Sequence, residues 1–128
     1  MNLLLDTHSL LWVYWDDAQL SAAAAGLVTD PNNRVFVSPA SHWEIAIKIK
    51  TGKLVLRESF LDFVQRAIFD NGFAILPVEP GHTAVVSTLP FHHRDPFDRL
   101  LIAQSMSEGI PLVSADVAVD SYGVRRLW

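Results

Sequence analysis

Two acids in this chain stand directly behind apolar runs. Asp6 follows Leu3, Leu4 and Leu5, and Asp116 follows Leu112 and Val113 across Ser114 and Ala115. In an open parallel sheet, ligands bind outside the carboxyl ends of the strands, which is where both acids fall. Aspartate is a poor strand residue, and burying it charged and unpaired is costly, so two such acids call for a cation or strong hydrogen-bond donors. Glu44 and Asp98 are further acids on helical stretches beside these strands. Carboxylates gathered in a chain without cysteine suit hard cations such as Mg²⁺ or Mn²⁺, which prefer oxygen ligands. One or two such ions can activate water and stabilise the leaving oxygen of a phosphodiester in an in-line displacement.

Each acid also has a purely structural use. Asp6-Thr7-His8-Ser9 offers several short polar side chains to cap a helix starting near Ser9, and Asp116 can hold a turn. Glu44 lies four residues before Lys48, the spacing of a surface ion pair on a helix. Asp95 precedes Pro96 and is the natural N-cap of the helix that follows, which leaves Asp98, in its first turn, as the better metal candidate. Favourable placement near the helix dipole is the alternative for Asp98. The case therefore rests on the set of four. The histidines (8, 42, 82, 92 and 93) lack zinc-site spacing. His93, next to Arg94 and near Asp98, is the one expected close to a substrate.

The elements that must hold these residues can be read from apolar runs and their punctuation. Strands are expected at 2–5, 35–37, 73–76, 110–113 and 124–128, and helices at 9–15, 21–29, 39–51, 59–70, 82–88 and 96–108. Residues 43–50 alternate apolar and polar with a strand period, but Ser38 as N-cap, Pro39 at the first helical position, Lys48 and Lys50 in the last turn and Gly52 beyond it argue for a helix. Short strands alternating with longer helices predict an α/β fold, a parallel sheet wrapped by helices. No repeat or domain-separating linker is seen, so residues 1–128 are expected to form one domain.

Composition excludes several classes. No apolar stretch approaches the about 20 residues of a membrane span. Met1 and Asn2 lead into the first strand with no basic n-region, so a cytoplasmic chain is expected. A net charge of −4 argues against broad electrostatic attraction to nucleic acid, although Lys48, Lys50, Lys53 and Arg57 cluster, as do Arg94 and Arg99. No glycine-rich nucleotide motif occurs. A phosphoryl-transfer receiver or phosphatase lacks its partner lysine motif here. A catalytically silent module that binds RNA or protein predicts missing acids, and all four are present.

Four blocks carry a family resemblance: Leu3-Leu4-Leu5-Asp6-Thr7-His8; Ser41-His42-Trp43-Glu44-Ile45-Ala46-Ile47-Lys48 with Gly52-Lys53-Leu54; His93-Arg94-Asp95-Pro96-Phe97-Asp98-Arg99-Leu100-Leu101-Ile102-Ala103-Gln104; and Leu112-Val113-Ser114-Ala115-Asp116. Over the whole chain they resemble the PIN domain, and within it the VapC-like toxins of toxin–antitoxin pairs. The resemblance implies a three-layer α/β/α sandwich and Mg²⁺- or Mn²⁺-dependent hydrolysis of RNA to 5′-phosphate and 3′-hydroxyl ends. Asp6, Glu44, Asp98 and Asp116 would be catalytic, with Asp6, Asp98 and Asp116 on the metal. Thr7 and Ser9 would hydrogen-bond near the first carboxylate, Ser114 stands where many relatives carry threonine, and Asp95 and Asp120 are extra acids. Lys48, His93, Arg94 and Arg99 would face the RNA substrate. A homodimer and a cognate antitoxin are also implied, in keeping with the surplus apolar surface expected around Trp43, Ile45, Ile49, Trp12 and Trp15.

Overall fold

The run Asn2–Leu5 forms β1, the middle strand of a five-stranded, all-parallel sheet, in the computed structural model of the protein, which describes residues 1–128. Its neighbours are β2 (Arg34–Val37) on one side and β4 (Leu112–Val113) on the other, with β3 (Ala74–Ile75) and β5 (Arg126–Leu127) at the edges. Leu3, Leu4 and Leu5 are fully buried, which explains why β1 reads as an unbroken apolar run: both faces of a central parallel strand are covered. Leu3 and Leu5 point into one core with Leu10, Val35, Ile45 and Phe63. Leu4 points into the other, with Leu101, Ile102 and Leu112. Each fully buried leucine contributes about 1.5–3 kcal/mol from area alone.

The first core is closed by α1 (Thr7–Trp15), α2 (Ala22–Thr29), α3 (Pro39–Lys50) and α4 (Phe60–Val64), the last continuing as a π-helical turn through Gln65–Phe69. The second is closed by α5 (Pro80–Thr88), α6 (Pro96–Glu108) and a 3₁₀ turn at Val117–Tyr122. The expected three-layer α/β/α arrangement with a parallel sheet is therefore present, and so is each expected strand and helix. The alternating stretch in α3 is helical, as its ends demand. Ser38 Oγ accepts from Ala40 N, Pro39 opens the helix, and Gly52 follows it with φ at +75°.

Boundaries differ where a cap or a short pairing decides them. Asp6 caps α1, so the helix begins at Thr7 rather than Ser9. Helix α5 begins at Pro80 because Glu79 and His82 form a reciprocal capping pair. The last three strands are two residues each, shorter than their apolar runs. Asp116 holds the turn that its position allows, a 3₁₀ turn over Val117–Tyr122. No helix is long and apolar enough to cross a membrane.

Candidate active site

The carboxyl ends of β1 and β4 lie side by side, welded by the Val113 carbonyl, which accepts from Asp6 N at 3.1 Å and from Ser9 Oγ at 3.0 Å. Asp6 leaves β1 there and turns into α1, its Oδ1 accepting from Ser9 N at 2.8 Å. Asp116 does the same for the 3₁₀ turn, its Oδ1 accepting from Ala118 N at 3.0 Å. In both residues the second carboxylate oxygen receives no protein donor. The first turn of α6 brings in Asp98, because Asp95 Oδ1 holds the backbone N–H of both Phe97 and Asp98. Asp6, Asp98, Ser114 and Asp116 line a cleft of about 20 Å³, enough for one water or ion.

Glu44 differs from the other three. One oxygen accepts from Thr7 Oγ1 at 2.7 Å and the other pairs with Lys48 Nζ at 3.1 Å. The Glu44–Lys48 pair expected from their spacing is thus present, and both oxygens of the glutamate are occupied.

Asp98 reports the crowding. Burial, and after it the negative charges of Asp95, Glu44, Asp6 and Asp116, push its carboxyl up to about 7. The other three sequence-predicted acids therefore all act on Asp98. Such a set fits a divalent cation: three carboxylates with uncommitted oxygens, a cleft of ionic size, and a repulsion that positive charge relieves. Asp6, Asp98 and Asp116 would hold it. Ligand atoms of His93, Asp98 and Asp116 also lie within 4.8 Å of one another.

Comparison with known proteins gives the family and the fold. The model of the PIN domain matches residues 3–124. The chain belongs to the PIN domain family. Solved structures share the fold at low identity. VapBC2 from Rickettsia felis bound to a promoter DNA fragment aligns at a TM-score of 0.69 and 14% identity, over 99% of this chain and 98% of that one. VapBC-1 from nontypeable Haemophilus influenzae aligns at 0.69 and 15%, over 99% and 97%. FitAcB from Neisseria gonorrhoeae aligns at 0.62 and 14%, over 98% and 96%. No curated protein matches the chain.

Within this PIN domain several polar residues serve differently from expectation. Arg99 is turned into the fold. It is 5% exposed, and its guanidinium donates to the carbonyls of Leu89 at 2.9 Å and Pro90 at 2.8 Å while stacking on Phe91. An arginine in the first turn of α6 is drawn there because the loop 89–93 turns its carbonyls inward and only a planar, multiply donating cation satisfies them together. Thr7 bonds Glu44 rather than Asp6, and Ser9 supports Asp6 through its backbone N–H while its hydroxyl ties down β4. Ser114 Oγ accepts from Asp116 N at 3.1 Å, holding the turn that aims that acid. Asp95 is a helix cap. Asp120 is taken by Arg126, whose guanidinium holds its carboxyl below the usual range. Lys48 is spent on Glu44, whereas Arg94 is exposed beside the cleft.

Tyr122 escaped the sequence reading. It is buried behind the site and its hydroxyl gathers the backbone N–H groups of His92 and His93, each at 3.1 Å. A tyrosine between a polar turn and a glycine carries no local signal of that role. The expected apolar surplus is met in part: Trp43 is 60% exposed and Trp15 is also exposed, whereas Ile45 is core and Ile49 packs against it.

Proposed function

We propose that this PIN domain, acting as a single folded unit, is an Mg²⁺- or Mn²⁺-dependent endoribonuclease and the toxin of a toxin–antitoxin pair, working in the cytoplasm. The observation that carries the reading is the convergence of Asp6, Asp98 and Asp116, each with oxygen atoms free of protein donors, on one ion-sized cleft at the end of a parallel sheet. Family membership supports a nuclease.

A bound divalent ion would supply positive charge for the phosphodiester and an activated water as nucleophile, giving 5′-phosphate and 3′-hydroxyl ends. The chain's own residues do the positioning. The Ser9 N–H and the Ala118 N–H each fix one oxygen of Asp6 and Asp116, so that the other oxygen of each remains available to the cation. Thr7 and Lys48 each hold one oxygen of Glu44 and fix its orientation. Asp98, raised to about 7 without a cation, loses its proton when positive charge arrives. Arg94 and His93 border the path of an RNA backbone.

The antitoxin assignment is supported by the structural relatives, toxin–antitoxin complexes that pair a PIN-fold chain with VapB or FitA. A basic antitoxin side chain entering the acid cleft would occlude it by the same charge complementarity that selects a cation. An apolar groove of about 490 Å³ lined by Pro39, Trp43, Ala46, Phe60, Val78 and Leu100 supports a second interface, which we assign to a homodimer.

Cleavage of labelled single-stranded and structured RNAs tests the reading, with Mg²⁺, with Mn²⁺ and with EDTA, beside Asp6→Asn and Asp98→Asn. Metal-dependent cutting that disappears in both variants establishes the nuclease. A folded wild type that binds RNA from a broad pool and cuts none of it would instead make the domain a silent binding module.

A further inference from the structure

His93 sits against the acid cluster with its ring almost enclosed, and its two nitrogens have different surroundings. Nδ1 lies 2.8 Å from the Tyr122 hydroxyl. Nε2 is buried, has no hydrogen-bond partner, and stands 3.9 Å from Asp98 Oδ2, beyond hydrogen-bond length. Hydrogen-bond accounting at Tyr122 decides which nitrogen carries the proton. The phenolic oxygen already accepts from the backbone N–H of His92 and of His93, each at 3.1 Å, and takes a longer third contact of 3.4 Å from Arg99. A hydroxyl offers two acceptor positions and one proton, so with its acceptor positions filled it acts toward the ring as a donor. Two acceptors are within reach of that proton, His93 Nδ1 at 2.8 Å and the His93 carbonyl at 3.5 Å, and the nearer one takes it. A ring that accepts at Nδ1 bears its hydrogen at Nε2.

We propose that Tyr122 locks His93 in the Nε2–H form, making it a hydrogen-bond donor for a non-bridging oxygen of the substrate phosphate and not a metal ligand. The role rests on the nuclease reading above. A phosphate anion must enter a cleft ringed by carboxylates, and two of the neighbouring cations are committed, Lys48 to Glu44 and Arg99 to the loop 89–93, while Arg94 stands exposed in solvent. The His93 Nε2–H is the side-chain donor inside the cluster without a partner, and a buried donor left unmade is unfavourable until something fills it. A substrate oxygen does so. Tyr122 is a positioning residue acting through the ring.

The test has three readouts on the full chain. In ¹⁵N-labelled protein at mildly alkaline pH, imidazole correlation spectra assigned with His93→Gln show a protonated Nε2 and an unprotonated Nδ1 for His93; a proton on Nδ1 overturns the proposal. By calorimetry with Mn²⁺ alone, His93→Leu changes affinity by less than about threefold, whereas a larger loss makes the ring a ligand and overturns it. In RNA cleavage, His93→Leu lowers kcat about 100-fold, and His93→Gln, whose amide N–H reaches a similar position, recovers about tenfold of that; equal losses in the two variants overturn the donor role. Should His93→Leu fail to fold, the spectra of the wild type and the behaviour of His93→Gln still decide. A wild type that cuts no RNA brings down the nuclease reading, and the spectra and Mn²⁺ titration report separately on His93.

Discussion

The Thr7 hydroxyl reaches from the first residue of α1 to Glu44 Oε1 in the middle of α3, 2.7 Å away and 37 residues further along the chain. Ser41 Oγ lies 3.1 Å from the same hydroxyl, so the junction between these helices is a small buried polar network. With Lys48 on the other oxygen, both oxygens of Glu44 are held. Thr7→Val removes the donor and keeps the shape. It is expected to cost about 1–2 kcal/mol in urea unfolding, because a buried carboxylate oxygen loses its partner, and to lower RNA cleavage about tenfold. Unchanged activity would show that Glu44 needs no such orientation.

Metal affinity separates the acids. Asp6→Asn and Asp116→Asn each remove one charged oxygen from the cleft and are expected to weaken Mn²⁺ binding more than tenfold by calorimetry, with about 1 kcal/mol or less of stability change. Asp95→Ala, by contrast, loses the cap of α6 and is expected to cost about 1 kcal/mol of stability. Equal losses of metal affinity in all three would mean that the cleft does not discriminate ligand from cap.

The raised Asp98 carboxyl predicts how stability depends on pH. The native state keeps this proton up to about 7, whereas an unfolded carboxyl releases it near the ordinary 3.8. Between those values the native state binds more protons than the unfolded one, so metal-free stability falls as pH rises through that window. A third of the side chain is still open to solvent, which limits the effect to about 1–3 kcal/mol. Asp98→Asn is expected to abolish most of that pH dependence and to raise the metal-free melting temperature at pH 8. Mg²⁺ or Mn²⁺ should stabilise the wild type more at pH 8 than at pH 5, since at the lower pH a proton competes for the site. A flat stability profile in thermal melts would contradict the crowding of charges at Asp98.

Arg99 is a structural prediction in its own right. Arg99→Leu leaves the Leu89 and Pro90 carbonyls without their donor and is expected to destabilise the fold by about 2–4 kcal/mol in urea melts. Arg99→Lys should recover only part of this, because a single ammonium cannot reproduce the planar fork. Wild-type stability in Arg99→Leu would return this residue to the list of substrate contacts.

The exposed indole of Trp43 lies against Phe97 edge-on, with ring centroids 5.2 Å apart, on the lip of the apolar groove. Sedimentation at micromolar concentration is expected to show a dimer, and Trp43→Glu a monomer with unchanged metal affinity. A wild type that sediments as a monomer would end the homodimer assignment.

Much of this architecture was legible in the chain because local chemistry and global packing agree. The leucines of β1 are apolar without alternation because both faces are covered, and α3 declared itself through Ser38, Pro39 and Gly52 despite its strand-like alternation. Asp6 and Asp116 were legible because each follows a strand, Asp98 because Asp95 already accounts for the helix cap beside it, and Glu44 through the block that carries the family resemblance. Arg99 and Tyr122 were not. A charged side chain near an acid motif reads as a substrate contact, and nothing in the local sequence shows that a loop ten residues away turns its carbonyls inward to meet it. Tertiary hydrogen bonding of this kind leaves no periodicity. The short strands β3, β4 and β5 were overestimated for a related reason: apolar residues beside them, such as Phe73, Ile110 and Val124, pack into the cores without ladder pairing.

The placement of β1 has a consequence for synthesis. Its partner β4, the Val113 carbonyl that receives both Asp6 N and Ser9 Oγ, and Asp116 itself all arrive more than a hundred residues after Asp6, as the 104-residue separation of Ser9 and Val113 shows. At about 5–20 residues per second, the nascent chain spends several seconds with its first acid made and its central strand still open on one side. During that interval no cleft exists in which a cation can be held. The acid site of this domain is thus among the last parts of its fold to be assembled, coming together only once translation has passed Asp116.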